Sequence, residues 1–418
     1  MKTPKEIYNR RKKCYDRLIQ RQTSAINLIS NLRLLVFILG ITASLLFYLS
    51  MSYMLSAGAL LLFTVVFFIL VNIHNKIIHN KELACSLFNS NADALKRIDG
   101  DWHAFHDVGD DFKDDKHSYS DDLDIFGKAS LFQYMNTAVT FTGRNRLAKL
   151  LVKPDNERDA IIKRQDAVKE LSPLVGWRQL FYAYGISKRA VDPNPLFSWS
   201  AIRQPFYLKK AVLLASYILP TITICFILLA AFSPSITYQL PLLAMAVQYL
   251  MLKYKATSRN EALCTVSRYN KNIQSYSRML QHFEKHHFNS QYLLNQKKKL
   301  ISADGKSAHL QVKGLSYIVN DLISNRHNSI YAIFNIITLW DYHCMIALEN
   351  WKSKSGDLIK EWIDVIGELE ALSSLSIVNF DHPDWVFPNI TGSGDSNNLI
   401  SAKAMGHPLL SDSRVYND

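Results

Sequence analysis

Gly305-Lys306-Ser307 is the tripeptide that comes nearest to phosphate chemistry in this chain. A nucleotide-cradling loop has the form G-x-x-x-x-G-K-[ST], because successive backbone N–H groups must wrap the phosphates just ahead of a helix. Its first glycine would fall on Leu300, and no strand-forming run precedes it, so the tripeptide reads as a hairpin tip. Gly127-Lys128-Ala129 and Gly392-Ser393-Gly394 fail the same spacing. His103, His106, Asp107, Asp110 and Asp111 are ligand types for a metal, yet they match neither an H-x-x-x-H helix nor a calcium loop. Eleven Asp lie between Asp93 and Asp124 against Lys96, Arg97, Lys113 and Lys116, which reads as a solvated acidic loop. No serine nucleophile elbow, zincin helix or paired-cysteine site occurs, so no catalytic residue and no metal ligand is assigned. Lys285, Lys297, Lys298, Lys299 and Lys306, with His286 and His287, form a basic group able to meet nucleic-acid phosphates. Phe283, Phe288 and Tyr292 interleave with it only weakly, which does not suggest base-specific readout.

The elements that must position these residues are dominated by two stretches without charge. No Asp, Glu, Lys or Arg occurs from Leu34 to Asn75 or from Ala211 to Leu252, and each run is 42 residues long. One membrane span needs about 20 apolar residues, so each run holds two helices and a turn. The first divides into Leu34–Leu49 and Met54–Asn72 around Ser50–Ser52. The second divides into Ala211–Phe232 and Ile236–Leu252 around Ser233-Pro234-Ser235. Residues 1–33 carry nine Lys and Arg against Glu6 and Asp16. Lys76, Lys81, Lys209, Lys210, Lys253 and Lys255 flank the runs, so the positive-inside rule places every flank in the cytoplasm. The expected protein is therefore a multi-pass one of the cell (inner) membrane, with its soluble parts cytoplasmic and the lipid bilayer as a partner. Of a net charge of +12, +7 sits in the basic arm beside the first run, which suits anionic lipid.

Composition agrees with a folded chain. Hydrophobic residues make up 48% and charged residues 20%, with 20 Tyr, 21 Phe and 7 Trp, which excludes extensive disorder. Five scattered cysteines form neither a disulfide framework nor a zinc site and point to a reducing compartment.

The remaining segments divide as a 1–33 basic arm, a 76–125 acidic linker, helices over 126–210 and 255–380, and a change of character at 381–418. Apolar stripes and the turn signal Asp304-Gly305 predict two antiparallel lever helices, about 258–302 and 307–350, each roughly 60–65 Å long. Asn335, Asp341 and His343 make Ile330–Trp340 a buried core helix rather than a further span. Pro383, Pro388, Gly392 and Gly394 punctuate short β-prone pieces such as Trp385-Val386-Phe387 and Leu399-Ile400.

An ordered series of motifs carries a family resemblance. Asp122-Leu123-Asp124-Ile125-Phe126-Gly127 is followed by Ser130-Leu131-Phe132, Asn136-Thr137, Thr140-Phe141-Thr142-Gly143-Arg144 and Leu147–Leu151. Then come Ile161–Val168 with Glu170-Leu171, Leu339-Trp340-Asp341, Glu349-Asn350-Trp351 and Trp362–Ser376. The series closes on Pro388, Gly406-His407-Pro408-Leu409-Leu410 and Asn417-Asp418. Over roughly 92–210 and 255–418 the chain resembles the core of the MutS family, the DNA mismatch-repair ATPases. The fold this implies is mainly α: a MutS-like helical core (126–210 and 351–380) with long lever helices (255–350). Two transmembrane hairpins (34–75, 211–252) and the first β-prone residues of a C-terminal α/β ATPase domain (381–418) complete it.

The resemblance further implies ATP and Mg²⁺ as cofactors, with His407, Pro408 and Asn417 as nucleotide-adjacent positions. It implies DNA contact through the phosphate backbone at the lysines above, weak and nonspecific, and a homodimer at full length. Gly143 reads as a turn feeding a helix Asn145–Leu151. The departures are an N-terminal end occupied by spans instead of a mismatch reader with Phe-x-Glu, and a second hairpin between core and levers. The series stops before a Walker loop, as in a truncated chain, so no ATP hydrolysis is expected of these 418 residues. The alternative function is a membrane scaffold or nucleotide-driven clamp without mismatch repair.

Overall fold

The computed structural model describes residues 2–186, 191–232, 238–327, 330–390 and 401–410. It is mainly helical, with no strand among the described residues beyond an isolated bridge between Ile301 and Ser307. Helix α1 (Pro4–Leu49) opens on a capping box: Thr3 Oγ1 accepts the Glu6 N–H and Glu6 Oε2 accepts the Thr3 N–H. Ser50–Ser52 turns the chain, with Met51 at φ 57, and α2 (Tyr53–Asp99) returns to end at left-handed Gly100. The two run antiparallel. Within the apolar half Gly40 admits Phe63, and Ser56 Oγ donates to the Ser44 carbonyl at 2.8 Å, so small residues bring the backbones close. The first hairpin is where its missing charges put it, but both helices continue well into the charged flanks. The basic arm and the first part of the acidic linker are thus one helical stalk.

After α2 the chain forms α3 (Leu131–Met135), α4 (Phe141–Val152), α5 (Arg158–Leu171), α6 (Val175–Gly185) and α7 (Asn194–Ala201). The second apolar run forms α8 (Lys210–Phe232), with Pro220 inside it, and α9 (Gln239–Lys253). The break expected at Ser233-Pro234-Ser235 lies outside the described residues. Among the described residues three helices, α1, α2 and α8, are long and apolar enough to cross a membrane.

The lever expectation is overturned. The first lever is divided into α10 (Ala256–Arg268), α11 (Asn270–Lys285) and α12 (Gln291–Lys298). Glu170 of α5 divides α11 from α12, because its carboxylate accepts the Asn289 and Ser290 N–H groups at 2.6 and 2.7 Å. The second becomes α13 (Ala308–Tyr317), a π turn at Ile318–Ile323, a 3₁₀ turn, α14 (Tyr331–Thr338) and α15 (Trp340–Ser355). With 16 residues, α11 reaches only about 24 Å. The turn at Asp304-Gly305 between α12 and α13 is as expected, with Gly305 at φ 74.

Finally α16 (Ile359–Asp381) passes through the middle of the molecule. The largest core joins Trp362 of this helix with Leu171, Phe181, Tyr276, Phe283 and Tyr342, and a second packs Trp102, Phe126, Phe132 and Leu147 with its Ala371. Trp385-Val386-Phe387 is not in a strand among the described residues; Gln165 donates to the Pro388 carbonyl at 3.0 Å and Phe387 lies under Lys169. Leu399-Ile400 lies outside the described residues.

The buried-core reading of Ile330–Trp340 is also overturned. No residue of α14 is buried; Ile330 is 70% and Ile333 59% exposed. The helix lies against α8 and α9 rather than inside the core.

Candidate functional site

Two stretches of the motif series, 140–144 and 362–376, meet where α4 crosses α16. Thr140 caps α4 by accepting the Gly143 N–H on Oγ1 at 3.0 Å, and the same hydroxyl donates to Glu370. Glu370 Oε1 accepts the N–H groups of Val139 and Thr140 at 2.9 and 3.2 Å. This carboxyl is 3% exposed, and burial raises it to about 7 against the pull of its donors. A Cβ on Gly143 would stand 2.0 Å from Glu370 Oε2, and one on Gly367 would stand 3.0 Å from the Thr142 carbonyl carbon. Each helix therefore supplies the glycine that the other needs. The helix begins at Phe141, so Gly143 sits inside its first turn and is not the turn before it. Ser374 Oγ accepts the Thr137 N–H at 3.1 Å and extends the seam.

On the outer side of α4, Arg144 spans the acidic segment. Its Nε and Nη2 donate to Asp107 at 2.7 Å and its Nη1 and Nη2 to Asp111 at 2.6 Å. The hydrogen bonds to Asp107 and Asp111 hold the guanidinium above its ordinary value and hold Asp111 below the usual carboxylate range. Phe112 lies 4.4 Å beneath the charge. The segment expected as a solvated loop is thus pinned to α4 through its carboxylates. Among the described residues no three His, Cys, Asp or Glu side chains converge on a metal site.

Two of the five lysines expected to meet DNA have other work. Lys297 Nζ donates to the Glu284 carbonyl at 2.9 Å and to that of His286, closing the end of α11. Burial lowers its pKa. Lys306 is paired with Asp304 at 3.1 Å. Lys285, Lys298 and Lys299 remain as exposed cations. Lys299 borders a cleft of about 750 Å³ that also holds Arg146, Lys149 and Lys360, with Asp357, Glu361, Asp364 and Glu368. Arg146 is paired with Glu368, which also accepts the Tyr292 hydroxyl at 2.6 Å. Acid and base balance in this cleft.

The nucleotide that the resemblance implies finds no phosphate cradle at Gly305-Lys306-Ser307. Around Gly305-Lys306-Ser307 the Gly305 N–H bonds to Ser302 O at 2.9 Å, and Ser302 N–H to Lys306 O at 3.0 Å. Those contacts make a closed turn and no phosphate cradle. Glu284 and Ser307 both approach Nδ1 of His309; a proton relay would need them on opposite ring nitrogens. Glu284 instead holds the start of α13 by accepting the His309 N–H at 3.0 Å. His407 is exposed, its Nδ1 accepts the Leu409 N–H at 3.3 Å, and with Pro408 it lies beside Leu409, which packs on the second core. Asn417 lies outside the described residues.

Sequence reading missed a second clamp, at the base of α8. Lys352 is 1% exposed; its Nζ donates to Glu349 Oε1 and to the Ile202 carbonyl, both at 3.0 Å, and stands 4.3 Å over the Trp199 ring. Glu349 Oε2 accepts the Gln204 N–H at 2.8 Å. The i, i+3 spacing of Glu349 and Lys352 is visible in the sequence, but it looks the same on any solvated helix.

The stalk is tied to the core at its far end. Tyr8 donates to Asp381 at 2.9 Å, Arg11 to Gln179 at 2.8 Å and Arg97 to the Tyr134 carbonyl at 2.9 Å. Burial raises Asp381 to about 6. No family model, no curated protein and no solved structure matches the chain.

Proposed function

We propose that the chain is the core and membrane anchor of a MutS-like DNA-binding protein. The observation that supports this is the contact of two stretches of the motif series: segments near 140 and 370 interlock through Gly143, Glu370, Gly367 and Thr142. In this reading DNA meets the rim formed by Lys285, Lys298 and Lys299, through phosphates alone. ATP and Mg²⁺ enter only with a phosphate loop that these 418 residues do not contain, and a homodimer is the expected assembly around it.

Fluorescence anisotropy of the detergent-solubilised chain with labelled duplex tests the DNA reading. Binding is expected to weaken as salt rises, with a log–log slope of roughly −3 if three phosphates are neutralised. Changing Lys285, Lys298 and Lys299 to Glu should flatten that slope, and matched and mismatched duplexes should bind alike. A severalfold mismatch preference at physiological salt contradicts phosphate-only contact. No binding even at about 50 mM salt rejects the DNA reading. That result favours a membrane scaffold, for which the ties Tyr8–Asp381 and Arg11–Gln179 between stalk and core are the supporting observation.

Purified chain is also expected to hydrolyse no ATP above background, because backbone cradle, lysine and metal ligands must be preorganised together. Hydrolysis abolished by Lys306→Ala would refute this.

A further inference from the structure

We propose that α14 is a third lipid-contacting element of the α8–α9 hairpin, its exposed face lying in the acyl region of the leaflet that α8 enters. The proposal rests on the reading of α8 as a span.

Tyr331–Thr338 carries no charged residue, and Ile330, Ile333 and Phe334 are 70%, 59% and 42% exposed. Continuity with the span identifies what covers that face. The helix lies against α8 and α9, and Gln248 of α9 donates to the Ile337 carbonyl at 3.2 Å while accepting from Thr223 of α8 at 3.1 Å. Both Gln248 and Thr223 are fully buried.

A helix end placed in hydrocarbon must have its carbonyls satisfied by the protein. Here Ile337 O is taken by Gln248, Asn335 O by the Leu339 N–H at 2.8 Å, and Phe334 O by Thr338 Oγ1 at 2.7 Å.

The polar groups gather on the side facing away from the exposed residues. Asp341, 3% exposed, accepts from the Tyr331 hydroxyl at 2.6 Å and pairs with Arg326 at 2.9 Å and Arg259 at 3.5 Å. Arg259 in turn donates to the carbonyls of Leu252 and Tyr254 at the end of α9. The chain bends by 72° between α14 and α15, with Leu339 at φ 52. Charge thus sits at the foot of the hairpin, and the apolar face is turned toward the lipid beside α8.

Spin labelling of the full chain tests this after its five native cysteines are replaced. Single cysteines are introduced by Ile333→Cys, by Phe334→Cys, by Leu229→Cys on α8 and by Leu310→Cys on the exposed side of α13. The chains are reconstituted in phosphatidylcholine vesicles, and collision with oxygen is compared with collision with a water-soluble nickel chelate. Oxygen should dominate at 333, 334 and 229, and nickel at 310. Nickel dominance at both 333 and 334 while 229 remains oxygen-dominated overturns this proposal and leaves the span intact. Nickel dominance at 229 overturns the span and this proposal with it.

Discussion

Replacing Lys352 by alanine is expected to lower the unfolding free energy by about 3–5 kcal/mol, the scale for leaving one member of a buried ion pair without the other. Glu349 would keep its place at 2% side-chain exposure with one backbone donor, Gln204 N–H, and no cation. The Ile202 carbonyl would lose its donor, and Trp199 the ammonium over its ring. Burial already depresses the lysine, so the pair exists because each charge answers the other. Denaturant titration in a fixed detergent measures the loss. The double change Lys352→Met with Glu349→Gln removes both charges and should recover most of it. A loss below about 1 kcal/mol for Lys352→Ala would mean that the clamp does not secure the base of α8.

Glu370→Gln should make the chain more stable at neutral pH and remove part of its pH dependence. Burial lifts the folded carboxyl to about 7, above the 4.5 of an exposed glutamate. Between those values the folded chain holds a proton that the unfolded chain has released. Stability from this group is therefore complete below about 4.5 and is lost as pH rises through 7. The full difference corresponds to roughly 3 kcal/mol. The variant's amide oxygen accepts the Val139 and Thr140 N–H groups as the carboxylate does, so the α4–α16 seam is retained. Thermal unfolding of both chains from about pH 5 to about pH 7.5 is the measurement. Parallel curves, with no relative gain for the variant as pH rises, would show that Glu370 is ionised throughout.

The first hairpin is legible in the sequence because 42 residues without a charge suffice for two spans, and a soluble helix of that length needs a charged face toward water. The length of its helices is written differently, in end signals: Thr3-Pro4-Lys5-Glu6 is a capping box and Gly100 a left-handed stop. Charge marks where the apolar stretch ends, and a helix need not end there. The lever breaks are not legible, since Glu170 stands more than a hundred residues from the N–H groups it captures at 289 and 290. Periodicity reports the face of a helix and is blind to a distant carboxylate that stops it. The exposed face of α14 escapes sequence reading because Ile333 and Phe334 suit a protein core and a bilayer equally. Asn335 and Asp341, which point to a core by their polarity, instead serve each other: the Asp341 N–H bonds to Asn335 Oδ1 at 2.9 Å. Gly143 stands out in its motif, but its reason lies in Glu370, and nothing local connects the two. The basic group at 285–306 emerges from composition alone, which cannot separate Lys297, spent on carbonyls, from its exposed neighbours.

The stalk has a mechanical consequence. With 47 residues, α2 is about 70 Å long, more than twice the roughly 30 Å hydrocarbon thickness of a bilayer. One end of the helix pair is closed by the turn at Ser50–Ser52 and the other by Lys5–Asp99 at 2.6 Å, while Tyr8–Asp381 ties α1 to α16. A pair closed at both ends resists shear between its two rods, so it tilts as a single beam. The other helix long and apolar enough to cross a membrane among the described residues, α8, leaves the core separately from that pair. On the proposed reading of α1, α2 and α8 as spans, a load applied to the core would reach the lipid as torque rather than as a pull on one helix.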